Sequence, residues 1–91
     1  MSSPLDRYVS RIEEACGERG DYIVILRYDK QREALERILS RCEVEKTISG
    51  IMIKAAYRGL SLTLFTTGKI LLKGVRDRVE AERTLMELLS D

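Results

Sequence analysis

The segment SLTLFTTGKILLKG, residues 61–74, constrains the fold most, because it predicts two β-strands joined by a tight turn around Gly68. Successive side chains of a strand point to opposite faces of a sheet. The alternate leucines of the first strand therefore share one face: Leu60, Leu62 and Leu64. Phe65, the one phenylalanine of the chain, falls on the opposite face with Ser61 and Thr63. We therefore predict that Phe65 lies outside the core.

Two further strands follow the same alternation. The second strand of the hairpin, residues 69–75, has Ile70 and Leu72 on the core face, and the preceding strand, residues 51–58, has Ile51, Ile53 and Ala55 there. The other side chains of the three strands form a surface that mixes lysines with apolar groups: Met52, Lys54, Ala56, Ser61, Thr63, Phe65, Lys69, Leu71 and Lys73. We predict a meander of three antiparallel strands, with this surface facing away from the helices.

Helical patterns lie on both sides of the strands. Ser3, followed by Pro4 and an acid, is typical of a helix start, and apolar residues at helical spacing predict a helix to about Cys16. Asp29 can cap a second helix, residues 30–40, and Asp77 can cap a third. The third helix is expected to bury a set of apolar side chains: Val79, Leu85, Met86, Leu88 and Leu89.

The strand DYIVILRY and a weaker edge strand, CEVEKT, complete the order α-β-α-β-β-β-β-α. Antiparallel strands with helices that cover one face are typical of an α+β structure. We therefore predict an α+β fold with an antiparallel sheet of about five strands and the helices on one face. A chain of 91 residues suffices for one domain, residues 1–91, with an N-terminal helix within residues 1–20.

Composition argues against several functions. The chain has no histidine, which removes the commonest general base, so we do not expect an enzyme. Cys16 and Cys42 are too few for a disulfide framework or a zinc site, and no phosphate-binding loop precedes a helix, so we expect no metal or cofactor. No apolar run approaches the roughly 20 residues of a membrane span, and the first residues show no pattern of a secretory signal or a transit peptide. We expect a cytoplasmic protein that does not bind membranes.

Charge is unevenly distributed along the chain. The net charge is +1, yet residues 46–76 contain six lysines and arginines and no acid. A sheet surface that combines lysines with apolar and aromatic side chains suits nucleic acid, because cations meet phosphates and apolar groups meet sugars and bases. Two alternatives fit the same pattern. The lysines can protect a solvated sheet, or the surface can be buried by another protein chain.

Residues 49–89 resemble one repeat of the TATA-box-binding protein. The segment from Phe65 to Gly74 has the F-x-x-G-K-x-x-x-x-G pattern of the family's hairpin, and a strand with a basic residue precedes it. Residues 22–40 fit the repeat by the order of their elements, so the resemblance covers about 70 of the 91 residues. A similar half-domain grips the hybrid substrate in one class of bacterial ribonuclease H. The resemblance implies that residues 21–91 form a TATA-box-binding-protein-like half.

The same resemblance implies contacts with nucleic acid. In the family, the sheet lies in a widened minor groove and phenylalanines wedge into base steps. Phe65 matches a wedging phenylalanine, Ile48 lies near the position of the second one, and Lys54 matches a basic residue that contacts the backbone. The other candidate contacts are Met52, Thr63, Lys69, Leu71 and Lys73. In the family, two such repeats in one chain form a saddle-shaped sheet, whereas this chain has one repeat. A homodimer could form the same saddle.

Overall fold

The computed structural model describes residues 4–14 and 21–90. Ser3 and Cys16, predicted at the two ends of the first helix, lie outside these residues. The elements follow in chain order: α1 Pro4–Tyr8, β1 Val9–Glu14, β2 Asp21–Leu26, a 3-10 turn Tyr28–Lys30, α2 Gln31–Arg41, β3 Glu43–Ile48, β4 Met52–Tyr57, β5 Leu60–Phe65, β6 Lys69–Lys73 and α3 Arg78–Leu89.

The six strands of the described residues form one antiparallel sheet in the order β1-β2-β6-β5-β4-β3. The predicted α+β class is confirmed, with three helices and an antiparallel sheet. The predicted number of about five strands is one too low, because the N-terminal segment supplies a strand. The edges of the sheet are therefore β1 and β3.

The prediction of a helix is wrong for β1, which pairs antiparallel with β2. The register shifts between Val9 and Arg11, so Ser10 is the extra residue of a β-bulge. The bulge separates the two buried side chains, Val9 and Ile12, by three residues. A separation of three is also the spacing of one face of a helix, which is why the pattern predicted a helix.

The core lies between the sheet and the helices. The strands contribute alternate side chains to it, and these are almost fully buried: Tyr22, Val24, Leu26, Ala55, Leu62, Leu64, Ile70 and Leu72. The helices contribute a second layer: Tyr8, Ala34, Ile38, Ala81, Leu85, Leu88 and Leu89. Leu62, Leu64 and Leu72 of the hairpin are therefore core residues, as predicted, and Leu60 is partly buried against them.

The ends of the two longer helices differ in how well the sequence predicts them. Asp77 is the N-cap of α3, and its carboxylate accepts a hydrogen bond from the backbone N–H of Glu80 at 2.9 Å, as predicted. Asp29 does not cap α2, because the 3-10 turn places Lys30 at the N-cap position without a side-chain hydrogen bond. Val79 and Met86 are 64% and 42% exposed, so their predicted burial is wrong. The predicted burial of Ile51 is wrong as well, because Ile51 lies in the turn before β4 and is 61% exposed.

The last turn of α3 is held by arginines of α2. This turn contains no basic residue of its own. Arg41 donates hydrogen bonds from Nη1 to the backbone oxygens of Glu87 and Leu88, at 2.9 and 3.0 Å. Arg37 donates to the backbone oxygen of Leu89 at 3.4 Å. A cation near a helix C-terminus is stabilising, so α2 supplies to α3 the charge that α3 lacks.

Candidate binding face of the sheet

We refer to the side of the sheet opposite the helices as the open face. Residues that pair directly across antiparallel strands share a face, so the strand register defines this surface as three rows. The first row is Arg11, Ile25, Lys69, Phe65, Met52 and Ile48. The second row is Glu13, Ile23, Leu71, Thr63, Lys54 and Lys46. The third row is Asp21, Lys73, Ser61, Ala56 and Glu43.

The open face contains every residue that the sequence predicted as a contact. Four of them form a continuous run in the first row: Lys69, Phe65, Met52 and Ile48. Leu71, Thr63 and Lys54 are direct neighbours in the second row, and Lys73 is in the third. The apolar members and Thr63 are half-buried by their neighbours, and the lysines are exposed. Phe65 therefore lies outside the core, between Lys69 and Met52.

Two further apolar residues of the open face belong to β2. Ile23 lies opposite Leu71, and Ile25 lies opposite Lys69. Both are half-buried, while the residues that alternate with them, such as Val24, are fully buried on the helix side. Alternation predicts that Ile23 and Ile25 share one face of the strand and that Tyr22, Val24 and Leu26 share the other. Because both sets are apolar, the sequence does not show which set faces the core.

A shallow depression of about 230 Å³ lies near the middle of the open face. Lys54 and Lys73 line it, together with the hydroxyl residues Ser61 and Thr63 and the carboxylate residue Glu45. Among the residues that the structure describes, neither lysine forms an ion pair. Ammonium and hydroxyl groups are donors to anionic oxygens, so the depression offers donors to a phosphate.

Acidic residues lie toward the edges of the open face. Glu13 belongs to β1, Asp21 begins β2, and Glu43 begins β3. Glu13 forms an ion pair of 2.7 Å with Arg11. The sequence segment without acids, residues 46–76, covers only β4, β5, β6 and the end of β3. The acids that join this segment on the open face come from other parts of the sequence, so the segment alone does not predict them. The open face also has Arg11 and Lys46 on its edge strands, but only its central strands β4, β5 and β6 combine cations, at Lys54, Lys69 and Lys73, with no acid of their own.

The described residues contain no group of three or more side chains that could hold a metal ion. Cys42, between α2 and β3, is half-buried and forms no disulfide. Burial raises the pKa of the Cys42 thiol from its ordinary value of 9.0 to about 11. The thiol therefore stays protonated at neutral pH, and a protonated thiol is a weak nucleophile and metal ligand.

We expect the thiol of Cys42 to react slowly in the folded protein. In a Cys16→Ser variant, labelling by a thiol reagent at about pH 8 should be roughly 100-fold slower than in the same variant unfolded in denaturant, because the thiolate fraction falls by that factor. The folded rate should rise about tenfold for each unit of pH until the pKa of about 11 is reached. Equal labelling rates for the folded and unfolded forms would contradict the burial of this thiol.

The molecule is thus an α+β protein with one sheet face covered by helices and the other face uncovered by any described element. None of its described helices combines the length and the apolar character needed to cross a membrane. Comparisons of the chain with protein-family models, with curated proteins and with solved structures gave no match.

Proposed function

We propose that this protein is a non-enzymatic nucleic-acid-binding module that uses the open face. The observation that carries the proposal is the placement of Phe65, half-buried in a row between Lys69 and Met52, beside the row that contains Lys54 and Leu71. An aromatic group with cations on the same flat surface can contact bases while the cations contact the flanking phosphates.

The resemblance to one repeat of the TATA-box-binding protein supports the proposal. The elements from β2 to α3 follow in the order of that repeat, and the hairpin of β5 and β6 contains the matching glycines. Gly68 and Gly74 have positive φ angles of 96° and 95°, which residues other than glycine rarely adopt. In such a repeat Phe65 is the wedge that unstacks a base step, and the cost is offset by the contacts that the bent duplex allows.

A protein partner is the second candidate, and a specific observation favours it. The open face carries six large apolar side chains: Ile23, Ile25, Ile48, Met52, Phe65 and Leu71. An apolar patch rimmed by charged residues is typical of a protein interface as well as of a groove-binding sheet. In this case the open face is the contact surface of a protein-interaction domain, and Phe65 is buried by another chain.

The test is a fluorescence-anisotropy titration of the full chain with duplex DNA, single-stranded DNA and an RNA–DNA hybrid. Three lysine–phosphate contacts predict that the affinity falls about 40-fold between about 50 and 200 mM salt. Absence of binding to all three nucleic acids at the lower salt concentration would contradict the proposal. Capture of another protein that persists after nuclease treatment would then support the second candidate.

Phe65→Ala tests the wedge within the same titration. We expect this change to weaken binding to a pre-bent or mismatched duplex more than binding to a regular duplex, because the unstacked step is the site of the ring. Ile25→Ala is the matched control, since it shortens a half-buried apolar side chain in the same row without altering a predicted contact. Equal losses for the two variants would show that Phe65 has no special role.

A further inference from the structure

The two edges of the sheet differ in how much of their apolar surface is already covered. In β1, the helix-side residues Val9 and Ile12 are 8% and 9% exposed. In β3, the helix-side residue Val44 is 48% exposed, and every residue of the strand except Ile48 is exposed. One backbone edge of β3 pairs with β4, and no described strand occupies the other. An uncovered edge strand is a template for pairing with another strand.

A bulge in β3 interrupts the alternation of its side chains between the two faces of the sheet. Val44 pairs with Ala55 and Lys46 pairs with Lys54, so Glu45 is the extra residue. Glu45 lines the depression on the open face, and Lys46 lies on the same face because it pairs with Lys54. Two consecutive residues of opposite charge therefore lie on one side of the strand. Val44 and Thr47 lie on the helix side, since Thr47 pairs with the core-side Ile53.

We propose that β3 pairs antiparallel with β3 of a second copy of this chain, about a two-fold axis between Glu45 and Lys46. Directly paired residues of a continuous sheet share a face. In this register Glu45 lies opposite Lys46 of the second copy, and Val44 lies opposite Thr47 of the second copy on the helix side. Glu43 and Ile48 then pair on the open face. The open face of one copy therefore continues into the open face of the other, and the helix side continues into the helix side.

Neighbouring registers fail on both charge and face. A shift of one residue in one direction places Glu45 opposite Glu45, and a shift in the other direction places Lys46 opposite Lys46. Like charges directly opposite each other are destabilising. Either shift also places helix-side residues opposite open-face residues. The sequence of β3 is therefore complementary to itself in one register, and a two-fold dimer is the closed form of such pairing.

The dimer would join two open faces into one sheet of twelve strands, and its formation makes no use of the proposed contact with nucleic acid. Pairing of two six-residue strands buries a small interface, so we expect a Kd on the order of 10⁻⁵ to 10⁻⁴ M. Sedimentation equilibrium of the full chain over a range of concentrations, without nucleic acid, should show a monomer–dimer equilibrium. A monomer throughout that range, or a series of species larger than a dimer, would overturn the proposal.

Charge substitutions test the register. Glu45→Lys places two lysines opposite two lysines at the axis, and Lys46→Glu places two acids opposite two acids, so each variant alone should lose the dimer. The double variant, with both charges exchanged, should regain it. An equimolar mixture of the two single variants should form a heterodimer, because every axial pair is then opposite in charge. Failure of both the double variant and the mixture to dimerise would overturn the register.

Three controls separate this result from other effects. Glu13→Lys changes a charge on β1, the other edge of the sheet, and should leave the dimer intact. Glu45 and Lys46 are exposed, so circular dichroism should show unchanged folding in their variants. Lys54→Ala, which tests the proposed nucleic-acid contact, should still dimerise. Loss of the dimer in Glu13→Lys would point to an interface at β1 and would overturn pairing through β3.

Discussion

Leu72→Ala is expected to lower the free energy of unfolding by about 3 kcal/mol, whereas Leu71→Ala, one residue earlier in β6, should cost about 1 kcal/mol or less. Leu72 is fully buried, opposite Tyr22 on one side and Leu62 on the other. Removing its side chain leaves a cavity that the rigid sheet cannot close. Leu71 lies half-buried on the open face, where water can occupy the vacated space.

Urea denaturation of both variants measures this difference. The two changes remove the same atoms from adjacent residues of one strand, so composition and strand propensity are matched. The dependence of the unfolding free energy on urea concentration should be the same for both, which shows that the midpoints report stability. Equal costs would mean that both faces of the sheet are covered in solution and that Leu71 is a core residue.

The second large effect is expected for nucleic-acid binding. Joint replacement of Lys54, Lys69 and Lys73 with alanine should reduce the affinity at low salt by about 100-fold, because three phosphate contacts and their released counterions are lost. The slope of the logarithm of affinity against the logarithm of salt concentration should fall by about 3. All three side chains are exposed, so the folding of the variant should be unaffected.

A control triple variant removes the same charge from the other side of the molecule. Lys30, Arg32 and Arg83 are exposed residues at the start of α2 and in α3. Their joint replacement with alanine lowers the net charge equally but leaves the open face unchanged. The control variant should keep most of the affinity. Equal losses for the two triple variants would show that binding depends on net charge and not on the open face.

The sequence predicts the central part of the sheet well. Alternation over β4, β5 and β6 assigns each side chain to the correct face, because the pairing of these strands with one another contains no bulge. The turn at Gly68 is also predicted correctly, because a positive φ angle favours glycine and glycine therefore marks such a turn in the sequence. The sequence alone thus predicts that Phe65 lies on the open face.

Other features depend on contacts that a linear pattern does not contain. The bulge at Ser10 gave β1 the spacing of a helix, and its pairing with β2 is decided by tertiary contact. In α3 the buried stripe is Ala81, Thr84, Leu85, Leu88 and Leu89. The hydrophobicity of Val79 and Met86 suggested burial, but their angular positions on the helix direct them to solvent. The acids at the edges of the open face come from strands that are distant in sequence.

The position of β1 has a consequence for the handling of the nascent chain. The strand β2 is a run of apolar, largely β-branched residues, Tyr22 to Leu26, of the composition that stacks into amyloid-like fibrils when its backbone edge is free. In the folded protein β6 occupies one side of this run and β1 the other. Since β1 precedes β2 in the sequence, it is synthesised before the segment that it covers. In the folded protein, pairing with β1 leaves this backbone edge of β2 unavailable to a strand of another chain.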